Sequence, residues 1–199
     1  SPGDNREVID INEAIKLFYI KNVNKTAAAF DLKKLDWMNN QYLKLQDPEK
    51  LTDEIIPLLI EKNYITKDDF DRNCIASLVK LFQGRLSKLS DFAEWADFFF
   101  LREIKIEPKA KEKFLSVDLS REFKLFIGRL ETLEKFDIVT IEDTFRNLVN
   151  ELGIEAKALI HPIRVALTGK TVGPGLFEVI YYLGLSRTKE RLDKFIKKE

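Results

Sequence analysis

The most constraining feature of this sequence is a helical periodicity of apolar residues that runs along nearly the whole chain. Between residues 140 and 152 the apolar positions follow one another at steps of four, three, one and three, which places them on one stripe of a helix. No segment alternates apolar and polar residues with period two for long enough to suggest a sheet. We therefore predict an all-α fold. The predicted helices span residues 11–20, 36–45, 52–63, 67–83, 88–101, 108–116, 119–135, 141–152, 155–168, 174–183 and 187–197.

Polar residues and glycines mark the predicted helix ends. Thr140 with Asp143, and Thr66 with Asp69, have the spacing of a capping box with aspartate in place of glutamate. Asp36 is a further candidate N-cap. The glycines that follow apolar periodic segments, where a left-handed residue commonly ends a helix, are Gly153, Gly169 and Gly184.

The connections between the predicted helices are short, as is usual in helical bundles. The best divisions of the chain lie after the lysine- and glutamate-rich stretch of residues 107–113 and near residues 46–48. We therefore predict a short segment over residues 1–48 that is followed by two consecutive helical bundles, over residues 49–117 and 118–199.

Composition excludes several classes of protein and of site. With 199 residues, 45% of them apolar, the chain can bury a core and does not resemble a disordered segment. No apolar run approaches the roughly 20 residues that span a bilayer, so we expect no membrane partner. One cysteine, Cys74, excludes an internal disulfide, and together with the single histidine, His161, it argues against a zinc site or a serine–histidine–aspartate triad. We predict no catalytic residue and no metal site in this chain.

Charge is unevenly distributed, although 33 basic and 33 acidic residues cancel over the whole chain. Residues 51–153 contain 16 basic and 20 acidic side chains, whereas residues 154–199 contain nine basic and five acidic ones. Two interpretations of the basic C-terminal part are open at this point. The excess forms solvated helix faces, or it is the footprint of a phosphate backbone.

Residues 161–176 combine a short apolar helix with a glycine-rich turn. The helix carries a single arginine, Arg164, and ends at Gly169. Pro174 suits the first position of the next helix, whose unpaired N–H groups would face outward beside Arg164 and hold anionic or base-edge groups. Gly173 would allow close approach to the backbone. The alternative is a tight helix–helix turn with no ligand.

This segment and one around residue 34 together resemble the C-terminal part of bacterial-type glutamyl-tRNA synthetases. The residues that carry the resemblance are Phe30, Asp31, Lys34, Leu35, Trp37, Met38, Asn39 and Tyr42, then Arg164-Val165-Ala166-Leu167-Thr168-Gly169, Gly173-Pro174-Gly175-Leu176-Phe177-Glu178 and Leu183-Gly184. Residues 1–7 also look like the family's approach to this region, and the match runs in order over essentially the whole chain. In the family this region follows a catalytic Rossmann domain. It comprises the end of a stem-contact segment, here residues 1–48, and two helical bundles that grip the anticodon arm.

The resemblance implies anticodon-binding roles for four residues around the turn. Arg164 matches the family's anticodon-reading arginine in the last bundle, and a guanidinium can both hydrogen-bond to a base and stack on it. Pro174 and Leu176 match residues that contact anticodon bases through packing and backbone. Gly173 stands where some members carry threonine, so the backbone would read the base there.

Three further residues match the family outside the turn. Arg85 lies where family members tend to place an arginine of the first bundle that helps to discriminate an anticodon position, and an arginine in a surface ion pair is the alternative. Lys34 and Trp37 match positions that contact the tRNA stem near the inside of the elbow. Trp37 has the alternative role of an aromatic anchor between neighbouring elements.

One motif resembles a catalytic loop without its context. Residues 85–90 are similar to the Lys-Met-Ser-Lys-Ser loop with which class I synthetases stabilise the phosphates of ATP, but the segment runs into a helical pattern. The family's other ATP motif, His-Ile-Gly-His, requires two histidines, and the chain has only His161. We therefore expect that this chain does not activate an amino acid and holds no cofactor.

The resemblance implies that the chain is a fragment of a parent protein that joins glutamate to tRNA(Glu) with ATP and Mg²⁺. The expected partners are tRNA(Glu) and the parent's own N-terminal catalytic domain, and we expect a cytoplasmic monomer. Glutaminyl-tRNA synthetase, the nearest relative, usually carries a β-barrel anticodon module, which the helical pattern does not support. An alternative of another class is a helical protein-interaction module with no RNA role.

Overall fold

Helices account for the regular structure of the chain. The computed structural model describes residues 6–22 and 29–197, and within these residues the one strand-like contact is an isolated antiparallel bridge between Thr66 and Asp69. The prediction of an all-α fold is confirmed. The family resemblance of residues 1–5 lies outside the described residues.

Eleven α-helices, with short 3₁₀ turns at Ile20–Asn22 and Gln83–Arg85, follow one another within the described part of the chain. They are α1 (Ile11–Leu17), α2 (Leu32–Leu45), α3 (Pro48–Glu61), α4 (Arg72–Phe82), α5 (Leu89–Trp95), α6 (Asp97–Phe100), α7 (Pro108–Phe114), α8 (Ser120–Glu131), α9 (Ile138–Leu152), α10 (Ala156–Thr168) and α11 (Leu176–Asp193). In these described ranges, none of the helices has the length and apolar character needed to cross a membrane.

An aspartate sets the start of α2, and this corrects a predicted boundary. The Asp31 carboxylate accepts hydrogen bonds from the N–H groups of Lys33 and Lys34, at 2.9 and 3.1 Å. These N–H groups have no partner within the helix, so the residue that binds them is the cap. Helix α2 therefore begins at Leu32, and Asp36, the predicted N-cap, lies inside it.

Neither predicted capping box forms, because an aspartate at another position binds the N–H groups in each case. Asp71 caps α4, so the predicted box at residues 66 and 69 lies before the helix. Asp137 caps α9 and accepts a hydrogen bond from the Thr140 N–H at 2.9 Å, which makes Thr140 the third residue of the helix rather than its cap. Lys135 and then this N–H lower the pKa of Asp137 to about 2, so the cap is charged at neutral pH.

Left-handed glycines end helices where the sequence predicts them. Gly153 ends α9 with a φ of 63°, and Gly169 ends α10 with a φ of 75°. Gly184 has a φ of 75° and a ψ of 165° and interrupts α11. The predicted helices over residues 174–183 and 187–197 therefore form one element with a break at Gly184.

The chain divides into two compact units, Ser1–Ala96 and Asp97–Glu199. The boundary predicted from the sequence lies at residues 117 and 118 instead. The structural division comes earlier because the segment after residue 96 is bonded to the later helices. Lys170 Nζ lies 2.7 Å from Asp97 Oδ1, and the Glu107 N–H donates to the Gly169 carbonyl oxygen at 3.1 Å.

The core of the first unit lies among α3, α4 and α5. Phe82 and Phe92 are fully buried there and meet edge to face, with ring centroids 5.8 Å apart. Helix α2 is attached through Asn40, whose Nδ2 donates to the carbonyl oxygens of Gly84 and Leu86 at 3.1 and 2.8 Å. The predicted stem-contact residues on α2 thus stand on the same unit as the first bundle.

The second unit packs α8, α9 and α10 against α11. Phe126 and Phe145 form its edge-to-face pair, with centroids 5.8 Å apart. Helix α7 lies against α10, where Ala110 is buried and Phe114 stacks on His161 with 5.1 Å between ring centroids. The single histidine of the chain therefore has a packing role.

Arg191 of α11 is a charged side chain with only 3% of its surface exposed. Its Nη1 donates to the Leu167 carbonyl oxygen at 2.5 Å, and its Nη2 donates to those of Phe98 and Leu101 at 2.7 and 2.8 Å. Burial lowers the pKa of the guanidinium to about 10, so it still carries its charge at neutral pH. Arg191 therefore ties the end of α10 and the end of α6 to α11.

We expect Arg191→Leu to lower the free energy of unfolding by about 2–4 kcal/mol, because buried carbonyl oxygens lose charge-assisted hydrogen bonds. Urea denaturation followed by circular dichroism measures this loss. The control is Arg146→Leu, which removes an exposed arginine that pairs with Glu142 on α9, and we expect it to cost less than about 1 kcal/mol. Equal losses for the two variants would contradict the role of Arg191.

Candidate nucleic-acid interface

The turn between α10 and α11, residues 169–175, is the centre of the predicted site. A Cβ at Gly169 would lie 2.2 Å from the carbonyl oxygen of Lys105, so glycine alone suits both this close approach and the positive φ. On the other side of the turn, the Lys170 N–H donates to the Thr168 hydroxyl oxygen at 3.1 Å. The first half of the turn is thus held by the close approach of the Lys105 backbone to Gly169 and by the hydrogen bond between Lys170 and Thr168.

Arg164 reaches the second half of the turn. Its side chain is half-buried, and its Nη1 donates to the Pro174 carbonyl oxygen at 2.6 Å. A Cβ on Gly173 would lie 3.5 Å from the same Nη1. The structure therefore brings Arg164, Gly173 and Pro174 together, and a backbone carbonyl sets the position of the guanidinium.

Pro174 and Leu176 occupy positions different from those that the sequence suggested. Helix α11 begins at Leu176 with Gly175 as its N-cap, so Pro174 precedes the helix instead of opening it. Both side chains are buried, and Leu176 is only 3% exposed because it continues the core stripe of α11. Packing of these two side chains on a base would require them to leave the core.

The start of α11 also differs from the predicted anion site. A Cβ on Gly175 would lie 1.9 Å from Oε2 of Glu178, so this carboxylate lies against the first turn of the helix. A negative side chain at a helix N-terminus compensates the partial positive charge of its N–H groups. The helix end that we predicted to hold anionic groups therefore already carries a carboxylate.

Val172 is an exposed residue of the turn that the sequence reasoning did not single out. Its side chain is 66% exposed, beside the half-buried Gly173. The available signal was an apolar, β-branched residue in the middle of a glycine-rich turn, where no helix face can bury it. Val172 adds exposed apolar surface to the turn.

The remaining predicted site residues lie in the first unit. Arg85 is exposed at the end of the 3₁₀ turn Gln83–Arg85. Lys34 of α2 forms an exposed ion pair with Glu7 at 2.8 Å, and the hydrogen bond to this carboxylate raises the pKa of Lys34. Trp37, three residues along α2 and 45% exposed, lies on the same side of the helix as Lys34. The set around Arg164 lies in the second unit.

The basic residues that the structure describes between residues 154 and 197 are paired within the fold. Four of their lysines form ion pairs with carboxylates from the acidic middle of the chain. These pairs are Lys170–Asp97, Lys189–Glu131, Lys194–Glu103 and Lys197–Asp118. The hydrogen bond from Lys194 lowers the pKa of Glu103, and that from Lys197 lowers the pKa of Asp118. The opposite charges of the two sequence regions are thus largely matched inside the second unit, which favours solvated helix faces over a phosphate footprint as the interpretation of the basic excess.

Residues 85–90 do not form a loop of the kind that their sequence resembles. In the loop-like motif of residues 85–90, Leu86 is fully buried and Lys88 lies at the start of α5, where its N–H donates to the Asp91 carboxylate at 2.8 Å. The segment is therefore a connection into a helix. Within the part of the chain that the structure describes, no group of three or more His, Cys, Asp or Glu residues could hold a metal ion.

Comparison with protein families gives one match over most of the chain. The family model described as anticodon binding domain matches residues 50–196. This range covers the helices from α3 to α11, including Arg85 and the turn at Gly173.

Comparison with individual proteins finds glutamate–tRNA ligases. Glutamate–tRNA ligase 2 of Thermoanaerobacter pseudethanolicus is 36% identical over 98% of this chain and 41% of its own length. Glutamate–tRNA ligase 1 of Caldanaerobacter subterraneus subsp. tengcongensis is 35% identical over 99% of this chain and 41% of its own length. The chain thus spans about two fifths of the length of these curated relatives.

Among solved structures, a glutamate tRNA ligase from Elizabethkingia meningosepticum in complex with its amino acid superposes with a TM-score of 0.86 and 26% identity. The match covers 98% of this chain and 38% of that one. The glutamate-tRNA synthetase of Elizabethkingia anophelis superposes with a TM-score of 0.83 and 27% identity over the same shares. The helical fold of this chain is therefore also found in these two solved structures.

Gly169→Ala should lower the free energy of unfolding by about 2–4 kcal/mol, because alanine disfavours the left-handed conformation and its Cβ would meet the Lys105 carbonyl oxygen. Thermal and urea denaturation measure the loss. Gly128→Ala is the matched control, since its Cβ would meet nothing within 4 Å on α8, and we expect it to stabilise the protein by about 0.5–1 kcal/mol. An unchanged stability for Gly169→Ala would show that the close approach is not a constraint.

Proposed function

Since this chain belongs to the anticodon binding domain family, we propose that it recognises the anticodon of tRNA(Glu) as the C-terminal part of a glutamate–tRNA ligase. The observation that carries the proposal is the family match over residues 50–196, within which the fold gathers Arg164, Gly173 and Pro174 at one turn. The choice of tRNA is supported by two relatives that are glutamate–tRNA ligases and that align with 98–99% of this chain.

Anticodon recognition would combine one guanidinium with the backbone of the turn. The bond from Arg164 to the Pro174 carbonyl oxygen holds the guanidinium at the turn, and a planar guanidinium can stack on a splayed base or donate to its edge. Gly173 has no side chain to keep a base away from this group. Since Pro174 and Leu176 are buried, they would contribute a rigid support beneath the turn.

The first unit would contact other parts of the same tRNA. We assign Arg85 to a second anticodon contact, and Lys34 and Trp37 to the stem near the inside of the elbow. The exposed face of α2 supports the stem contact, because Trp37 offers an apolar surface to a ribose or base. The ion pair between Lys34 and Glu7 is exposed, so Lys34 could leave the carboxylate and bind a phosphate instead.

The catalytic part of the parent protein would cover an apolar stripe on α1. Ile11 and Ile15 lie one turn apart on α1, and Phe18 is its C-cap; these side chains are 69%, 65% and 67% exposed. An exposed stripe of this kind is typical of a surface that another domain covers. In its catalytic part, the parent would use ATP and Mg²⁺ to join glutamate to tRNA(Glu). The parent would act as a monomer in the cytoplasm.

Replacement of Arg164 tests the proposal. We expect Arg164→Ala to weaken binding of a tRNA(Glu) anticodon stem-loop by about 1–3 kcal/mol, and to weaken binding of the same hairpin with a changed anticodon much less. Arg164→Lys retains a donor for the Pro174 carbonyl oxygen but lacks the planar fork, so it should lose anticodon discrimination while the turn is kept. Filter binding at fixed salt measures both affinities.

The control for this experiment is Arg146→Ala, an exposed arginine of α9 whose removal changes the net charge by the same amount. We expect no change in discrimination for this variant. Equal losses of Arg164→Ala on both hairpins would reduce Arg164 to a phosphate contact or a structural residue. Wild-type binding that is indifferent to the anticodon, or no RNA binding, would favour the helical protein-interaction module instead.

A further inference from the structure

We propose that the exposed lysines of α7 and of the segment before it bind the phosphate backbone of the RNA that the neighbouring turn reads. This proposal rests on the proposed function, because it concerns the same RNA. The residues concerned, here called the α7 lysines, are Lys105, Lys109, Lys111 and Lys113.

The position of α7 is the first support. Residues 107–113 are rich in lysine and glutamate, and the structure packs them on the second unit. Ala110 is 2% exposed, and Phe114 stacks on His161 of α10. At the other end, the Glu107 N–H donates to the Gly169 carbonyl oxygen at 3.1 Å. Helix α7 therefore runs antiparallel along α10 and begins beside the turn.

The relation of α7 to Arg164 follows from the periodicity of α10. His161, which contacts α7, and Arg164 are three residues apart, so they lie on the same face of α10 about one turn from each other. A strand with a base at the Arg164 guanidinium would therefore pass close to α7. Phosphate contacts fix the register of a nucleic acid, whereas contacts to base edges specify its sequence.

The electrostatics of α7 differ from those of the rest of the second unit. The described lysines and arginines of residues 154–197 are bonded to carboxylates or to carbonyl oxygens, as Lys194 is to Glu103 and Arg191 to Leu167. All four α7 lysines are exposed, and none has a carboxylate partner among the residues that the structure describes. Their charges are therefore available to a ligand with several negative charges.

The spacing of these lysines favours a polyanion over a single acidic group. Lys109 and Lys113 lie one helical turn apart, about 6 Å along the axis. Lys105 and Lys111 extend the charged surface toward the turn and around the exposed side of the helix. Lys109 and Lys113 thus offer two ammonium groups along one line, with Lys105 nearer the turn and Lys111 on the other flank of the helix, and the line fits successive phosphates of one strand.

The test is a salt titration of binding between the 199-residue chain and a fluorescent RNA hairpin with the anticodon stem and loop of tRNA(Glu). The variant combines Lys109→Gln, Lys111→Gln and Lys113→Gln and leaves Lys105 in place, because its carbonyl oxygen lies against Gly169. Glutamine is a good helix former, so α7 should persist, and circular dichroism checks this.

We expect the variant to bind the hairpin about 10- to 100-fold more weakly at 0.1 M salt, with a salt slope reduced in magnitude by about 2 to 3. The loss should be the same for the hairpin with a changed anticodon, since phosphates carry no sequence. The control combines Lys50→Gln, Lys62→Gln and Lys67→Gln, which removes as many exposed lysines from α3 and the loop after it. Its affinity and slope should remain close to those of the wild type.

Three outcomes would overturn the proposal. The first is an unchanged affinity and salt slope for the α7 variant, and the second is an equal loss in the control, which would reflect net charge alone. The third is a loss confined to the cognate hairpin, which would make these lysines base contacts. Failure of the proposed function looks different, because the wild-type chain would then show no preference for the cognate anticodon whatever the α7 lysines do.

Discussion

Two stretches of backbone approach each other at Gly169 so closely that no side chain fits between them, and the second unit depends on this contact. The Lys105 carbonyl oxygen occupies the place that a Cβ would take, and the Gly169 carbonyl oxygen accepts a hydrogen bond from the Glu107 N–H at 3.1 Å. The contact fixes where α10 ends and where α7 begins. Arg191 supports it from the buried side, because its guanidinium bonds to carbonyl oxygens of both segments, at Leu167 and Leu101. The turn and α7 are consequently held side by side.

The same architecture explains why charge counted along the sequence was a poor guide to binding. The basic C-terminal part and the acidic middle of the chain meet in the folded second unit, as in the pair Lys170–Asp97. The exposed pairs among them, such as Lys189–Glu131, contribute at most about 1 kcal/mol each, but the pairs match the two regions to one another. In the second unit, the exposed Lys105, Lys109, Lys111 and Lys113, on α7 and just before it, have no such partner among the described residues. Their availability follows from tertiary contacts, which a count of charges by segment does not contain.

Local sequence signals predicted the fold class, most helices and the left-handed helix ends at Gly153 and Gly169. These features are predictable because the helical spacing of apolar residues and the preference of glycine for positive φ are properties of short segments. The helix starts were harder to predict, since several aspartates lie near each start and the cap is the one that reaches the unpaired N–H groups, as Asp137 does in α9. The family resemblance anticipated that Arg164 lies beside Pro174. It did not reveal the burial of Leu176, because an apolar residue beside a turn suits the core and a ligand contact equally well.

On the proposed function, the arrangement separates two tasks that an RNA-binding surface must perform. A turn with one guanidinium and a few backbone groups can distinguish bases, but it makes too few contacts to bind tightly. Phosphate contacts bind and position a strand without reading it. Because α7 is fixed to the turn at Gly169, a strand held by the α7 lysines would present its bases to Arg164 in one register. Base discrimination at the turn would then depend on the rigidity of the Gly169 contact as much as on the arginine itself.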